Sequence, residues 1–256
     1  MPDTESVVLV DVADRIATVT LNRPESRNAL SRALTYALWD AIRSAGEDPQ
    51  VDAVVLTGAD PAFCAGVDLR ERNDWVRKGA KIRGDNVRNK WYDTMGTIIR
   101  NHPAVFIAAV NGLALGGGAT LVNICDLAIM ADDAEIGVPQ IRWGIYPGIA
   151  GASTQVRVLH KHAAWPILTA RSLSAADAVD IGMVNFAVPA DRLLDEAKAL
   201  AAHIAQFDPI ALDWCKKALD QIPSHIAEWT VALEYGRGVT SIIRDQTGKA
   251  AVSSPV

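Results

Sequence analysis

Val110-Asn111-Gly112-Leu113-Ala114-Leu115-Gly116-Gly117-Gly118-Ala119-Thr120 is the stretch on which the fold turns. Residues 104–110 before it form a short apolar run that reads as a buried strand, and a helical pattern follows it. The chain must therefore turn a glycine corner between strand and helix. Glycine removes the Cβ and lets backbone N–H groups face a ligand. A helix N-terminus beneath such a corner adds partial positive charge. The apolar stretch 103–121 has the length of a membrane span but holds Asn111 and four glycines. A buried strand running into a turn explains it better.

A second corner lies upstream, at Ala62-Phe63-Cys64-Ala65-Gly66-Val67-Asp68-Leu69. It follows a short strand at 53–56 and a turn at Pro61. Residues 7–12 and 16–21 read as a hairpin or two adjacent strands, and 127–130 as another buried strand. Ser31 caps a helix to about residue 45, in which Leu34, Leu38 and Ile42 recur at helical spacing. Helices are expected at 191–205, 209–219 and 226–244. Short buried strands alternating with helices argue for an α/β fold with parallel pairing.

Neither corner is a GxGxxG dinucleotide fingerprint or a GxxxxGK phosphate loop, and no GxSxG elbow occurs. Two glycine corners can instead supply two N–H groups to one oxyanion, or simply pack strand against helix. The three cysteines form no CxxC pair and the five histidines no ligand cluster, so no metal is expected.

The chain has 256 residues, 50% of them hydrophobic, and a net charge of −5. That excludes a disordered chain and gives no support to nucleic-acid binding. The N-terminus has no signal-peptide pattern, and the cytoplasm is the expected location. One basic stretch, residues 70–90, stands out, with Glu71 and Asp74 among its few acids. It reads either as a solvated helix or as an anion-facing flap.

LNRPESRNAL (21–30), AFCAGVDL (62–69), AAVNGLALGGGATLVNICDLAIM (108–130), AEIGVPQIRWGIYPG (134–148) and LTARSLSAADAVDIGMVNFAV (168–188) together resemble the crotonase superfamily, the enoyl-CoA hydratases and isomerases. The resemblance covers nearly the whole chain. It implies a spiral of ββα units over residues 1–200 and a helical oligomerisation region over 201–256. It also implies a homotrimer or a dimer of trimers. The expected ligand is an acyl-CoA thioester, as in fatty acid metabolism, with coenzyme A as part of the substrate and no separate cofactor.

By the same resemblance, the N–H groups of Val67 and Gly117 form an oxyanion hole. The Ala65 carbonyl accepts from adenine, and Arg27 lies toward the CoA phosphates. Hydratases of the family use two glutamates, and here those positions hold Thr120 and Gln140. Neither side chain takes a proton at neutral pH as a carboxylate does. Tyr146 lies near the place of a tyrosine in family decarboxylases. Arg142, His102, Glu71 and Asp74 are further candidates for the missing chemistry. The tail departs from the family too, with Val252 where an aromatic is expected. The expected activity is that of a hydratase/isomerase-family lyase or isomerase. Decarboxylation of a malonyl-type thioester and acyl-CoA binding without turnover are the alternatives.

Overall fold

The computed structural model describes residues 6–71, 97–225 and 228–248. The basic stretch beyond Glu71, with Asp74, and the tail from Lys249 lie outside the described residues.

β1 (Val8–Ala13) and β2 (Ile16–Leu21) form an antiparallel hairpin. β2 then pairs in parallel with β3 (Ala53–Gly58), which pairs with β4 (Val105–Val110). β6 (Leu127–Ala131) and β9 (Phe186–Val188) complete a six-stranded sheet in the order β1-β2-β3-β4-β6-β9. Every residue of β3 and β4 is buried. That explains why both read as unbroken apolar runs rather than as alternating strands: a central parallel strand is covered on both faces.

A second sheet, in the order β5-β7-β8, joins Ala114–Leu115, Glu135–Gly137 and Leu173–Ser174. β4 lies in the large sheet and β5 in the small one; β6 and β7 repeat the step. This alternation is the ββα spiral.

α1 (Arg32–Glu47) begins where the Ser31 hydroxyl accepts from the Leu34 N–H at 3.2 Å. It buries Leu34, Leu38, Ile42 and Ala45. Burying one such leucine stabilises by about 1.5–3 kcal/mol. α2 (Gly117–Ile124) follows the glycine corner. α3 (Ala150–Gln155), α4 (His160–Thr169) and α5 (Ala175–Asp180) come next. α6 (Leu193–Ile204) buries Leu193, Ala197, Ala201 and Ile204 and packs on β3, β4 and β6. The expected boundary at residue 200 falls inside this helix.

α7 (Pro209–His225) and α8 (Trp229–Thr247) pack on each other. The expected end of α7 at residue 219 is corrected: the helix continues through Pro223. A proline so near the end disturbs only the last turn of the hydrogen-bond ladder. α8 starts later than expected, where the Glu228 carboxylate accepts from the Val231 N–H at 2.8 Å.

α7 is anchored to the sheet by a buried cation. Lys216 Nζ donates to the Ala104 carbonyl at 2.9 Å and pairs with Asp126 at 2.8 Å. Asp126 also accepts from the Phe106 N–H at 2.8 Å. Burial lowers the Lys216 pKa and raises that of Asp126, so each opposes ionisation and each partner restores it.

Candidate functional site

Two asparagines, the buried Asn28 and the half-buried Asn111, steer the loop after β3. Asn28 Nδ2 donates to the carbonyls of Ala59 at 2.8 Å and Ala62 at 2.6 Å, while its Oδ1 accepts from the Arg23 N–H. Asn111 Oδ1 accepts from the Gly58 N–H at 3.1 Å. Their backbone bonds then splice the two glycine corners. Cys64 bridges Ala114 in parallel: the Cys64 N–H donates to the Leu113 carbonyl and the Leu115 N–H to the Cys64 carbonyl.

On its other side this loop pairs with Leu30. The Leu30 N–H donates to the Gly66 carbonyl at 2.7 Å, and the Asp68 N–H to the Leu30 carbonyl at 3.2 Å. In extended backbone, successive N–H groups point to opposite sides. The Val67 N–H therefore points away from Leu30. Gly117 is the first residue of α2, so its N–H has no acceptor inside the helix. Neither N–H has a hydrogen-bond acceptor among the described residues. A Cβ added to Gly66, whose φ is +86°, would lie 3.2 Å from the Gly117 nitrogen. The two corners are in direct contact.

Both N–H groups belong to residues lining one cavity of about 370 Å³. Ala65, Val67, Gly117, Thr120, Gln140 and Tyr146 all line it, so six of the seven expected site residues converge. Leu69, Trp143, Ile145 and Ile149 add apolar wall. Arg27 does not line it. Arg27 is exposed, and its carbonyl accepts from the Ala65 N–H at 2.9 Å.

Among the described residues, the polar side chains of the cavity are neutral. The buried Thr120 hydroxyl donates to the Gly116 carbonyl at 3.2 Å. The Gln140 carboxamide fills the space a Cβ on Gly116 would take, and its Oε1 is buried without a protein partner among the described residues. Tyr146 Oη accepts from Gln155 Nε2 at 2.6 Å.

Among the described residues, no carboxylate lines the cavity. Asp68, next to Val67 in the chain, accepts from Arg23 at 3.1 Å and from the N–H groups of Arg70 and Glu71. Burial opposes its ionisation, but the Glu71 N–H and Arg23 outweigh it and hold its pKa below the ordinary value. Glu71 accepts from the Arg32 N–H at 2.9 Å, at the start of α1. Arg142 donates to the Ala170 carbonyl and does not line the cavity. His102 is buried against Phe106, with Nδ1 accepting from the Ala104 N–H. Burial and then the nearby Lys216 push its pKa down to about 4. The Cys64 thiol is buried behind the cavity wall, which pushes its pKa up to about 12. Among the described residues, no three His, Cys, Asp or Glu side chains gather as metal ligands.

The profile of the enoyl-CoA hydratase/isomerase family matches residues 11–235. The chain belongs to this family. A probable enoyl-CoA hydratase of Mycobacterium tuberculosis is 36% identical over 219 residues, covering 85% of this chain and 82% of that one. The hydroxycinnamoyl-CoA hydratase-lyase of Pseudomonas fluorescens is 35% identical over 206 residues, 80% of this chain and 75% of that one. Among solved structures, an enoyl-CoA hydratase of Mycobacterium smegmatis superposes with a TM-score of 0.82 at 30% identity. It covers 94% of this chain and 91% of that one. The Bacillus anthracis enoyl-CoA hydratase gives 0.81 at 32%, covering 92% and 90%.

Within this enoyl-CoA hydratase/isomerase family chain, sequence reading missed several contributors. Asn28 and Asn111 shape the loop through contacts more than thirty residues away, which no local pattern announces. Trp143 and Gln155 come near the site only because the chain folds back from Pro139 to α3. The half-exposed Trp143 is legible afterwards as an apolar residue beside Tyr146, but not as wall.

Proposed function

We propose that this protein binds an acyl-CoA thioester and stabilises the enolate that forms at its carbonyl. The supporting observation is the pair of unengaged N–H groups, Val67 and Gly117, on one cavity wall. A thioester oxygen between them gains hydrogen bonds as negative charge builds, and such donors are worth about 10²–10³-fold each in rate. The Ala65 carbonyl has no donor among the described residues and suits the adenine amino group, and Arg27 is exposed nearby for phosphate. The apolar wall of Leu69, Trp143, Ile145 and Ile149 receives the acyl group. The same reading takes the chain as a cytoplasmic homotrimer or dimer of trimers, with residues 201–256 helping to assemble it.

Ordinary hydration is poorly served by this cavity. It needs a base for water and an acid for the α carbon. The Thr120 hydroxyl donates its hydrogen bond to the Gly116 carbonyl, and Gln140 is an amide. The neutral lining favours a second reading, decarboxylation of a malonyl-type thioester. Two glutamates would repel a substrate carboxylate; threonine and glutamine do not. The bond from Cα to the carboxylate breaks and its electrons enter the thioester as an enolate, while CO₂ leaves. Cα then takes a proton from Tyr146 Oη. The phenolate regains one from water, which it reaches because Tyr146 is 58% exposed.

Incubation with crotonyl-CoA and with methylmalonyl-CoA separates these readings. CO₂ release without hydration is expected. Hydration alone would overturn decarboxylation. Binding without turnover of either would leave an acyl-CoA-binding protein, and no affinity for either thioester would overturn the whole proposal.

A further inference from the structure

Gln155 sits at the end of α3, and its side-chain contacts fix the direction of a proton elsewhere. Its amide nitrogen lies 3.2 Å from the Gly151 carbonyl and 2.6 Å from the phenol oxygen of Tyr146. A carbonyl only accepts, so the atom beside Gly151 must be the NH₂ group. The phenol oxygen is therefore the acceptor in the Gln155–Tyr146 bond. Its own O–H proton is left over, and no described residue accepts it. Tyr146 is also held in place: a Cβ on Gly151 would lie 3.2 Å from its hydroxyl, so ring and helix are in contact. Tyr146 lines the cavity and Gln155 does not.

We propose that Gln155 is a positioning residue, which by donating to the Tyr146 oxygen turns the phenol proton toward the acyl group in the cavity. This deepens the enolate reading above and rests on it. The ligand chemistry it fits is an acyl thioester with an anionic oxygen group next to Cα. The phenol donates a hydrogen bond to that anion. In turnover it gives its proton to the α carbon, and the Gln155 N–H then stabilises the phenolate.

The test uses the full chain with Gln155→Met, Gln155→Glu, Tyr146→Phe and the double variant Tyr146→Phe/Gln155→Glu. Methionine keeps the length and removes the donor. Glutamate reverses the bond, because its carboxylate captures the phenol proton. Two readouts are taken: the kcat and KM of CO₂ release from methylmalonyl-CoA, and calorimetric affinity for an analogue with sulfonate in place of the leaving carboxylate. Propionyl-CoA is the uncharged control.

Tyr146→Phe and Gln155→Glu are each expected to lower kcat by at least about 100-fold, the usual worth of a general acid. KM should rise in step with the analogue's dissociation constant, because the same hydrogen bond holds the substrate carboxylate. Each should weaken the sulfonate analogue by about tenfold, as for a hydrogen bond to a charged group. Gln155→Met should fall between. Propionyl-CoA affinity should not change. In the double variant the losses should not add, since both act through one proton. A Gln155→Glu loss that persists in full on the Tyr146→Phe background would overturn the proposal, because it would report only the new charge. Unchanged affinity of Gln155→Glu and Gln155→Met for the sulfonate analogue would overturn it as well. If the wild type releases no CO₂ yet the analogue shows the coupling, decarboxylation fails while the role of Gln155 stands.

Discussion

Replacing Gly66 with alanine tests whether contact between the two glycine corners sets the site. Gly66 has φ +86°, which costs an L-residue about 1–2 kcal/mol. The new Cβ would also lie 2.5 Å from the Leu115 carbonyl oxygen and 3.2 Å from the Gly117 nitrogen. Both neighbours are backbone, so the strand must move, at an overpacking cost of about 1–3 kcal/mol. The sum is about 2–5 kcal/mol, or a fall in Tm of roughly 4–20 °C for a chain of this size.

Gly182→Ala is the control. Its φ is +74°, but nothing lies within 4 Å of the added Cβ. It should lose only the backbone part, roughly 2–8 °C. The functional difference should be larger. A shift that separates Val67 and Gly117 spoils one donor of the pair, so Gly66→Ala should lose at least about 100-fold in turnover. Gly182→Ala should stay within about twofold. Thermal unfolding and thioester turnover at 25 °C, where both variants are folded, provide the assays. A Gly66→Ala protein with the stability of Gly182→Ala and wild-type turnover would refute the reasoning.

Lys216→Ala should destabilise by about 1–3 kcal/mol, since the buried Ala104 carbonyl loses its donor and the partly exposed Asp126 loses its ion-pair partner; urea unfolding measures it. His102 should make stability fall on acidification. Its folded pKa of about 4 lies below the ordinary 6.5, so the unfolded chain binds the extra proton between those values. The His102 contribution is intact above about pH 6.5 and declines toward pH 4, by roughly 3 kcal/mol at most. Denaturant titrations at pH 7 and pH 4.5 should show this fall, and His102→Gln should flatten it. Thr120→Glu combined with Gln140→Glu should raise hydration of crotonyl-CoA by at least about 100-fold, followed by loss of enoyl absorbance. No gain in a folded double variant would contradict the reading of those positions.

The outer limits of legibility are clear from particular residues. The β3 and β4 runs, the Ser31 cap and the Leu34–Leu38–Ile42 stripe are local signals, because period and capping act over a few residues. Pro223 misled, since a proline in a last helical turn looks in sequence like a helix stop. The positions of Val67 and Gly117 were legible from the motifs, yet the direction of their N–H groups was not. That direction depends on Leu30 pairing with the Gly66–Asp68 backbone, a contact across 36 residues or more.

Through the resemblance of its motifs the sequence implied a spiral and a site without the usual glutamates; by itself it determined an α/β fold and two glycine corners. It did so because glycine, proline and apolar periodicity constrain the backbone locally. Only the tertiary structure decided which acids stay away from the cavity. Among the described residues, Asp68 is held by Arg23, Glu71 accepts from the first turn of α1, and the polar side chains left in the cavity are neutral. It also decided that Gln155 donates to Tyr146. Hydrogen-bond direction depends on which atoms meet in space, and spacing along a chain does not encode that.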